Sequence, residues 1–81
     1  MNTDLSKQAQ QARLLEALQT RGGVTTSDAR EQLAVMHPAG RVRELRAKGF
    51  DIETCMLWAA DDAGVLHRQA LYVLHRGDEH A

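Results

Sequence analysis

The chain has 81 residues, 11 acidic and 10 basic, and a net charge of −1 with neutral histidines. This length allows one small domain with a thin margin of stability, and the single cysteine, Cys55, excludes an internal disulfide and a zinc site built from several cysteines. No apolar run is long enough to cross a membrane, and the first residues are too polar for a signal peptide. We therefore expect a cytoplasmic protein with no membrane contact.

The charges are unevenly distributed along the chain. Residues 1–20 are neutral in sum, residues 21–50 hold six cations against three acids, and residues 51–81 hold two cations against six acids. Because phosphate attracts cations, the middle third is the only part of the chain that favours nucleic acid, whereas the last third would repel it.

A first helix is predicted from Ser6, a good N-cap, to about Arg21, just before the Gly22-Gly23 stop. Residues 1–5, before this helix, are expected to be disordered. Helical spacing predicts an inward face of Ala12, Leu14, Leu15, Ala17 and Leu18, and a face towards water of Gln8, Gln10, Gln11, Glu16 and Gln19.

A minimal strand and a second helix follow. Residues 24–25 are a β-branched pair, long enough only for a short edge strand. Either Thr25 or Thr26 can cap the next helix, because residues 26–28 are rich in side-chain acceptors for free N–H groups. The helix is expected to end at residue 33 or 34, and Ala34 is expected in a left-handed turn, which costs about 1 kcal/mol more than glycine there.

A third helix is predicted over residues 38–48. Pro38 suits the first helical position, and Gly49 suits the left-handed position just past the end. A narrow apolar stripe at i, i+3 and i+6 is expected to face the core: Ala39, Val42 and Leu45. Four cations lie around or beside that stripe against a single acid, Glu44: Arg41, Arg43, Arg46 and Lys48.

After Gly49 the apolar period changes to two, which is typical of a strand. Two such runs, at residues 50–58 and 65–74, surround a glycine-containing loop and predict a β-hairpin. The inward positions are expected to be Phe50, Ile52, Tyr72 and Leu74; Leu71 and Val73 compete for the same face, and a bulge near the loop would reconcile them. Residues 76–81 are expected to be a disordered tail.

The order of elements is helix, strand, helix, helix, strand, strand. With it, the stretch V-T-T-S-D-A-R-E-Q-L-A-V-M-H-P-A-G-R-V-R-E-L-R-A-K-G-F-D-I resembles the winged helix-turn-helix family, and in particular the small domains encoded by bacteriophages and prophages. The resemblance covers about residues 11–75. It implies an α+β domain over residues 6–75, with three helices and a C-terminal β-hairpin wing. It also implies a transcriptional regulator that binds specific double-stranded DNA sequences with the 38–48 helix in the major groove.

Two other functions stay open at this point. The nearly neutral charge is compatible with a winged helix that binds a host protein instead of DNA, and an excisionase-like factor would bind DNA mainly to bend it. One small recognition helix offers limited affinity, so a homodimer on a two-fold site is a natural expectation, formed through the first helix or the tail. The acidic loop residues Asp61 and Asp62 depart from a wing that grips phosphate. Trp58, near the loop, either packs under the hairpin or provides a contact surface for another chain.

The start of the second helix provides three candidate DNA contacts. Thr25, Thr26 and Ser27 can hold a phosphate through their hydroxyls and the free N–H groups beside them, although helix capping alone also explains them.

The third helix and the turn before it provide five more candidates. Arg43 is favoured as a DNA contact, whereas Arg41 is equally well explained by a pair with Glu44. Arg46 either reaches DNA or covers the core with its stem, while its head pairs with Glu53 or Asp51. His37 has a simpler structural alternative as a turn or cap residue. Lys48 has one as a cation that interacts favourably with the dipole at the end of the helix.

Residue types that could support catalysis or metal binding occur without a suitable pattern. The spacings of His67, His75 and His80 match no set of metal ligands. Cys55 lies inside an alternating strand with no paired base, which indicates a packed thiol. There is also no glycine-rich phosphate loop and no pair of catalytic carboxylates. We therefore expect no enzyme activity, no cofactor and no metal.

Overall fold

A computed structural model describes residues 4–75. Three helices and three strands follow in the order α1 (Lys7–Arg21), β1 (Val24–Thr25), α2 (Thr26–Leu33), α3 (Pro38–Ala47), β2 (Asp51–Ala60) and β3 (Leu66–His75). This order confirms the predicted α+β fold, a small winged helix-turn-helix. The predicted disorder of residues 1–3 and 76–81 concerns parts of the chain outside the described residues, and the domain limits of 6–75 stay a prediction.

The helix ends follow from local chemistry. The Ser6 hydroxyl accepts a hydrogen bond from the N–H of Ala9 at 3.2 Å, and left-handed Gly22 ends α1. Thr25, not Thr26, caps α2, because its hydroxyl accepts from the N–H of Asp28 at 3.0 Å. These contacts satisfy N–H groups that have no partner inside their helix.

The turn between α2 and α3 contains one strained residue. Ala34 has φ 54°, as the sequence predicts, and the next N–H, that of Val35, donates to the carbonyl of Ala29 at 2.9 Å. The Val35 side chain is fully buried. Pro38 then begins α3, and Gly49, with φ 104°, follows its last turn. The turn therefore fixes the angle between two short helices through one left-handed alanine and one buried valine.

The three strands form one antiparallel sheet in the order β1-β3-β2. The long hairpin pairs continuously from Asp51 opposite His75 to Ala60 opposite Leu66, so the bulge expected near the loop is absent. Val24 of the short strand β1 pairs with Tyr72 in the centre of the sheet. The continuous register means that the two long strands keep the same faces along their whole length.

The core lies between the helices and the inner half of the hairpin. Its buried apolar residues are Leu14, Ala17, Leu18, Val24, Ala29, Val35, Val42, Leu45, Ile52 and Tyr72. The predicted inward positions Phe50 and Leu74 are partly buried and pack against this cluster, as does Leu15. Ala12 is exposed, contrary to its predicted place on the inner face of α1.

The prediction that Gln10 and Gln11 face water is wrong, since both side chains are buried. The Gln10 amide donates to the carbonyl of Leu5 at 2.6 Å and accepts from the N–H of Met36 at 3.0 Å. The Gln11 amide donates to a carboxylate oxygen of Glu44 at 2.8 Å. These amides are buried because the helix-turn-helix offers them partners, which compensates for the water they lose.

The predicted inward stripe of α3 needs one correction. Ala39 is exposed, while Val42 and Leu45 are buried as expected. The remaining buried positions of this helix are Pro38 and Arg41. The helix is thus turned so that a charged residue, and not Ala39, completes the face towards α1.

Candidate nucleic-acid interface

The exposed side of α3 is a ridge with one arginine at its centre. Ala39, Arg43 and Ala47 recur at i, i+4 and i+8, and all three are exposed. Residues at this spacing lie above one another on a helix. The Arg43 guanidinium forms no hydrogen bond or ion pair with residues 4–75, and the alanines leave space on both sides of it. This geometry lets the helix approach a flat or grooved surface with one cation projecting.

Arg41 lies on the opposite side of α3 and is only 8% exposed. Its Nε is 2.8 Å from Oε1 of Glu44, and its Nη2 donates to Oε2 at 3.0 Å. The structure therefore favours the ion pair with Glu44, the alternative to DNA contact for Arg41 that the sequence leaves open.

Glu44 is the centre of a polar cluster that joins α1 to α3. The hydrogen bond from the Gln11 amide lowers the pKa of this carboxyl below its ordinary value, and the nearby charges of Arg41 and Lys7 lower it further. Burial acts in the opposite direction but does not prevail. Glu44 therefore stays ionised and holds both Gln11 and Arg41 in place.

The guanidinium of Arg46 connects α3 to the hairpin through hydrogen bonds. Its Nε and Nη2 donate to the carbonyl of Ile52 at 2.8 and 2.6 Å, and Nη2 also donates to the hydroxyl of Thr54 at 2.8 Å. The sequence suggests Glu53 or Asp51 as partners, but the guanidinium instead donates to the backbone carbonyl of Ile52, the residue between them. Three hydrogen bonds give this arginine a structural role at the base of the hairpin.

Lys48 follows α3 and remains exposed, although its ammonium donates to the Gln11 side-chain oxygen. His37 precedes the helix, is exposed, and makes no capping hydrogen bond with its side chain. These two residues lie at opposite ends of the exposed ridge, where side chains can reach beyond it.

A groove of about 390 Å³ separates the start of α2 from the hairpin. Thr26 and Ser27 line it, and the Ser27 N–H donates to the side-chain oxygen of Gln69 at 3.1 Å. Arg30 and Arg68 line the same groove from α2 and from β3. Both arginines are exposed and form no hydrogen bond or ion pair within the described part of the chain.

Arg30 and Arg68 are absent from the eight candidates that the sequence suggests. Arg30 belongs to the cationic middle third, and its place one turn after Thr26 could have indicated it. Arg68 gives no such signal, since it lies in the acidic last third and only the folded hairpin brings it to the groove.

The carboxylate of Asp61 stabilises the loop of the hairpin through hydrogen bonds. Asp61 accepts hydrogen bonds from the N–H groups of Val65 and Ala63, both at 2.9 Å, and lies 2.7 Å from the His67 ring. These contacts lower the pKa of Asp61, with the backbone N–H of Val65 as the largest cause and His67 next. The carboxylate of Asp61 therefore holds the loop in its turn conformation.

No group of three or more histidine, cysteine or acidic side chains within residues 4–75 is placed to hold a metal ion. No helix in this range has the length and apolar character needed to cross a membrane.

This architecture is that of a winged helix-turn-helix domain. A tight turn joins α2 to α3, α1 packs on both, and a long β-hairpin follows the helix-turn-helix. The family model described as a winged helix-turn-helix domain matches residues 9–77, and the chain belongs to this family. Comparisons with curated proteins and with solved structures found no match.

Proposed function

We propose that this protein binds double-stranded DNA at specific sequences, with α3 in the major groove. The observation that supports this most directly is the exposed ridge of α3, where Arg43 projects without a partner among residues 4–75 between two alanines. A helix of this kind fits the width of the major groove, and an arginine at its centre can donate two hydrogen bonds to a guanine edge.

The ridge also offers a second kind of base contact. Ala39 is one turn before Arg43 on the same side of the helix, and a small apolar side chain can contact a thymine methyl group. His37 lies at the start of the helix, where it can reach an adjacent base or phosphate. We assign these three residues to base recognition, with Arg43 as the main determinant.

Phosphate contacts are assigned to the groove between α2 and the hairpin. The start of α2 supplies the hydroxyls of Thr26 and Ser27, which can donate hydrogen bonds to a phosphate oxygen. Arg30 and Arg68 add two cations at the same groove, and Lys48 adds one at the end of α3. Thr25, Arg41 and Arg46 are left out of this assignment, because their polar groups already bind within the fold. The exposed ammonium of Lys48 has three donors, of which the bond to Gln11 uses one.

The biological role that we propose is a cytoplasmic, non-enzymatic transcriptional regulator of a phage or prophage. The likeness of residues 24–52 to the small domains encoded by phages supports this origin. A homodimer on a two-fold site would supply the affinity that one short recognition helix lacks.

The function is tested by selecting bound duplexes from a randomised pool and then measuring dissociation constants by fluorescence anisotropy. We expect Arg43→Ala to weaken binding to the selected duplex by about 1–3 kcal/mol, which is roughly 5- to 150-fold, with the loss concentrated at one base position. Binding to a scrambled duplex should change much less, since only phosphate contacts remain there.

The matched control is Arg21→Ala, the same substitution at an exposed arginine in the last turn of α1. It should leave the selectivity for the chosen duplex as in the unmodified protein, and circular dichroism should show both variants folded. The assignment of Arg43 fails if its removal leaves the affinity for the selected duplex unchanged.

A further inference from the structure

The outer half of the hairpin exposes large apolar side chains. Met56 is 52% exposed, Trp58 66%, Val65 53% and Leu66 63%. Of these, Met56, Trp58 and Leu66 share one face of the hairpin, which we name the outer wing face. Single exposed apolar residues are common on proteins, but three that lie together on one face of a short hairpin form a patch to which another chain can bind.

The register shows why this face is uncovered. Side chains alternate along β2, so Met56 and Trp58 share the face of buried Ile52. On β3, Leu66 and Tyr72 share it as well, because Leu66 pairs with Ala60 and Tyr72 pairs with Thr54. The face that packs on the helices at the inner half therefore continues to the loop, where the described residues include no helix to cover it.

The strand that borders this face is also unprotected. In the order β1-β3-β2, β2 is an edge strand and its outer backbone groups have no neighbouring strand among the described residues. Its residues 54–60 contain no charge, no proline and no glycine. Edge strands of isolated monomers usually carry such residues, since these hinder pairing with another chain.

We infer that a second copy of this chain covers the outer wing face, packing its own outer wing face against it across a two-fold axis. The exposed fractions correspond to roughly 400 Å² of apolar surface on each copy, so two copies would bury on the order of 1,000 Å² once the neighbouring backbone is included. That area lies near the lower limit for a specific dimer, which predicts a dimer of moderate affinity.

The chemistry of the patch is self-complementary. A two-fold interface brings the same patch of both copies together, so the indole of Trp58 can meet the thioether of Met56 in the second copy, a favourable contact.

The mass of the DNA-free protein is measured by light scattering and analytical ultracentrifugation over a wide range of concentration. Trp58 is the only tryptophan, so its emission reports on this face directly. We expect the mass to rise from one chain to two and the emission to move to shorter wavelength over the same concentrations. Because no DNA is present, the outcome is independent of the proposed function.

A pair of matched variants locates the interface. Met56→Lys introduces a charge that the dimer would have to bury, and it should weaken dimerisation at least about tenfold. Met36→Lys makes the same change at a methionine that is 50% exposed in the turn before α3, and it should leave the dimer unchanged. Leu66→Lys is the second test of the face, and thermal melting followed by circular dichroism checks that each variant is folded.

Three results would overturn the inference. The first is a single-chain mass with solvent-exposed Trp58 emission at every concentration, which would leave the face for a different partner. The second is a dimer that both Met56→Lys and Leu66→Lys leave intact, which would place the interface elsewhere. The third is growth beyond two chains, since a two-fold interface closes at the dimer.

Discussion

Arg41 and Arg43 are two residues apart, yet their environments are opposite. Arg41 is almost fully buried against Glu44, whereas Arg43 projects from α3 with no partner in the described part of the chain. Two positions on a helix differ by about 200° in direction, which explains the contrast. The sequence shows two similar cations here, and only the packing of α3 on α1 separates a structural arginine from a candidate recognition residue.

Glu44 should make stability depend on pH. Its pKa is lowered from the ordinary value of 4.5 by the hydrogen bond from Gln11 and the charge of Arg41. A lowered folded pKa adds stability above pH 4.5, and this gain is lost as the pH falls through the folded pKa. We therefore expect the stability difference between the unmodified protein and Glu44→Gln to shrink as the pH falls below 4.5.

Urea unfolding at a series of pH values measures this difference. The control is Glu31→Gln, which changes an exposed acid on α2 that has no hydrogen bond among residues 4–75. A difference for Glu44→Gln that stays constant from neutral pH to below pH 4 would show that the polar cluster does not favour the ionised carboxylate.

At the scale of the elements, the turn between α2 and α3 stores strain at Ala34. Its φ of 54° costs an alanine about 1 kcal/mol, and glycine adopts this conformation freely. We expect Ala34→Gly to raise the melting temperature by a few degrees, because the relieved strain exceeds the entropy that glycine adds to the unfolded chain.

Ala47→Gly is the matched control, since it makes the same substitution at the exposed last residue of α3. There the backbone is helical, so glycine should lower stability by about 0.5–1 kcal/mol. Thermal melts of the two variants should move in opposite directions. A loss of stability in both would mean that the Ala34 conformation carries no strain.

The ends of the elements could be predicted from sequence much better than their buried faces. Ser6, Pro38, Gly49 and left-handed Ala34 act through backbone chemistry within a few residues, so their effect is local and visible in the sequence. The burial of Gln10 depends on the distant N–H of Met36, which no periodicity along α1 can indicate.

The same limit applies to the candidate interface. A helical pattern of apolar residues places Ala39 inward, but α3 turns it outward because the Arg41–Glu44 pair and Gln11 occupy that side. Arg68 reaches the groove beside α2 only through strand pairing between distant parts of the chain. Tertiary partners decide which cations stay free, and a single sequence does not show them.

At the scale of the whole molecule, folding decides which charged side chains are paired and which remain exposed without a partner. The net charge of −1 gives no reason to expect DNA binding. In the structure, Asp61, Glu53 and Glu44 are engaged with neighbouring His67, His75 and Arg41. Arg30, Arg43 and Arg68 keep free heads within the described range. A nearly neutral chain can therefore present cations to phosphate while three of its acids are engaged with other side chains.

The salt dependence of binding to duplex DNA tests the central claim most directly. Each phosphate contact lowers the slope of log K against log salt by about 0.9, so the free cations and the start of α2 predict a slope between about −2 and −4. Fluorescence anisotropy between low and physiological salt measures this slope. Steep weakening with salt is the predicted result; no binding at low salt, or a slope near zero, would contradict DNA binding through these contacts.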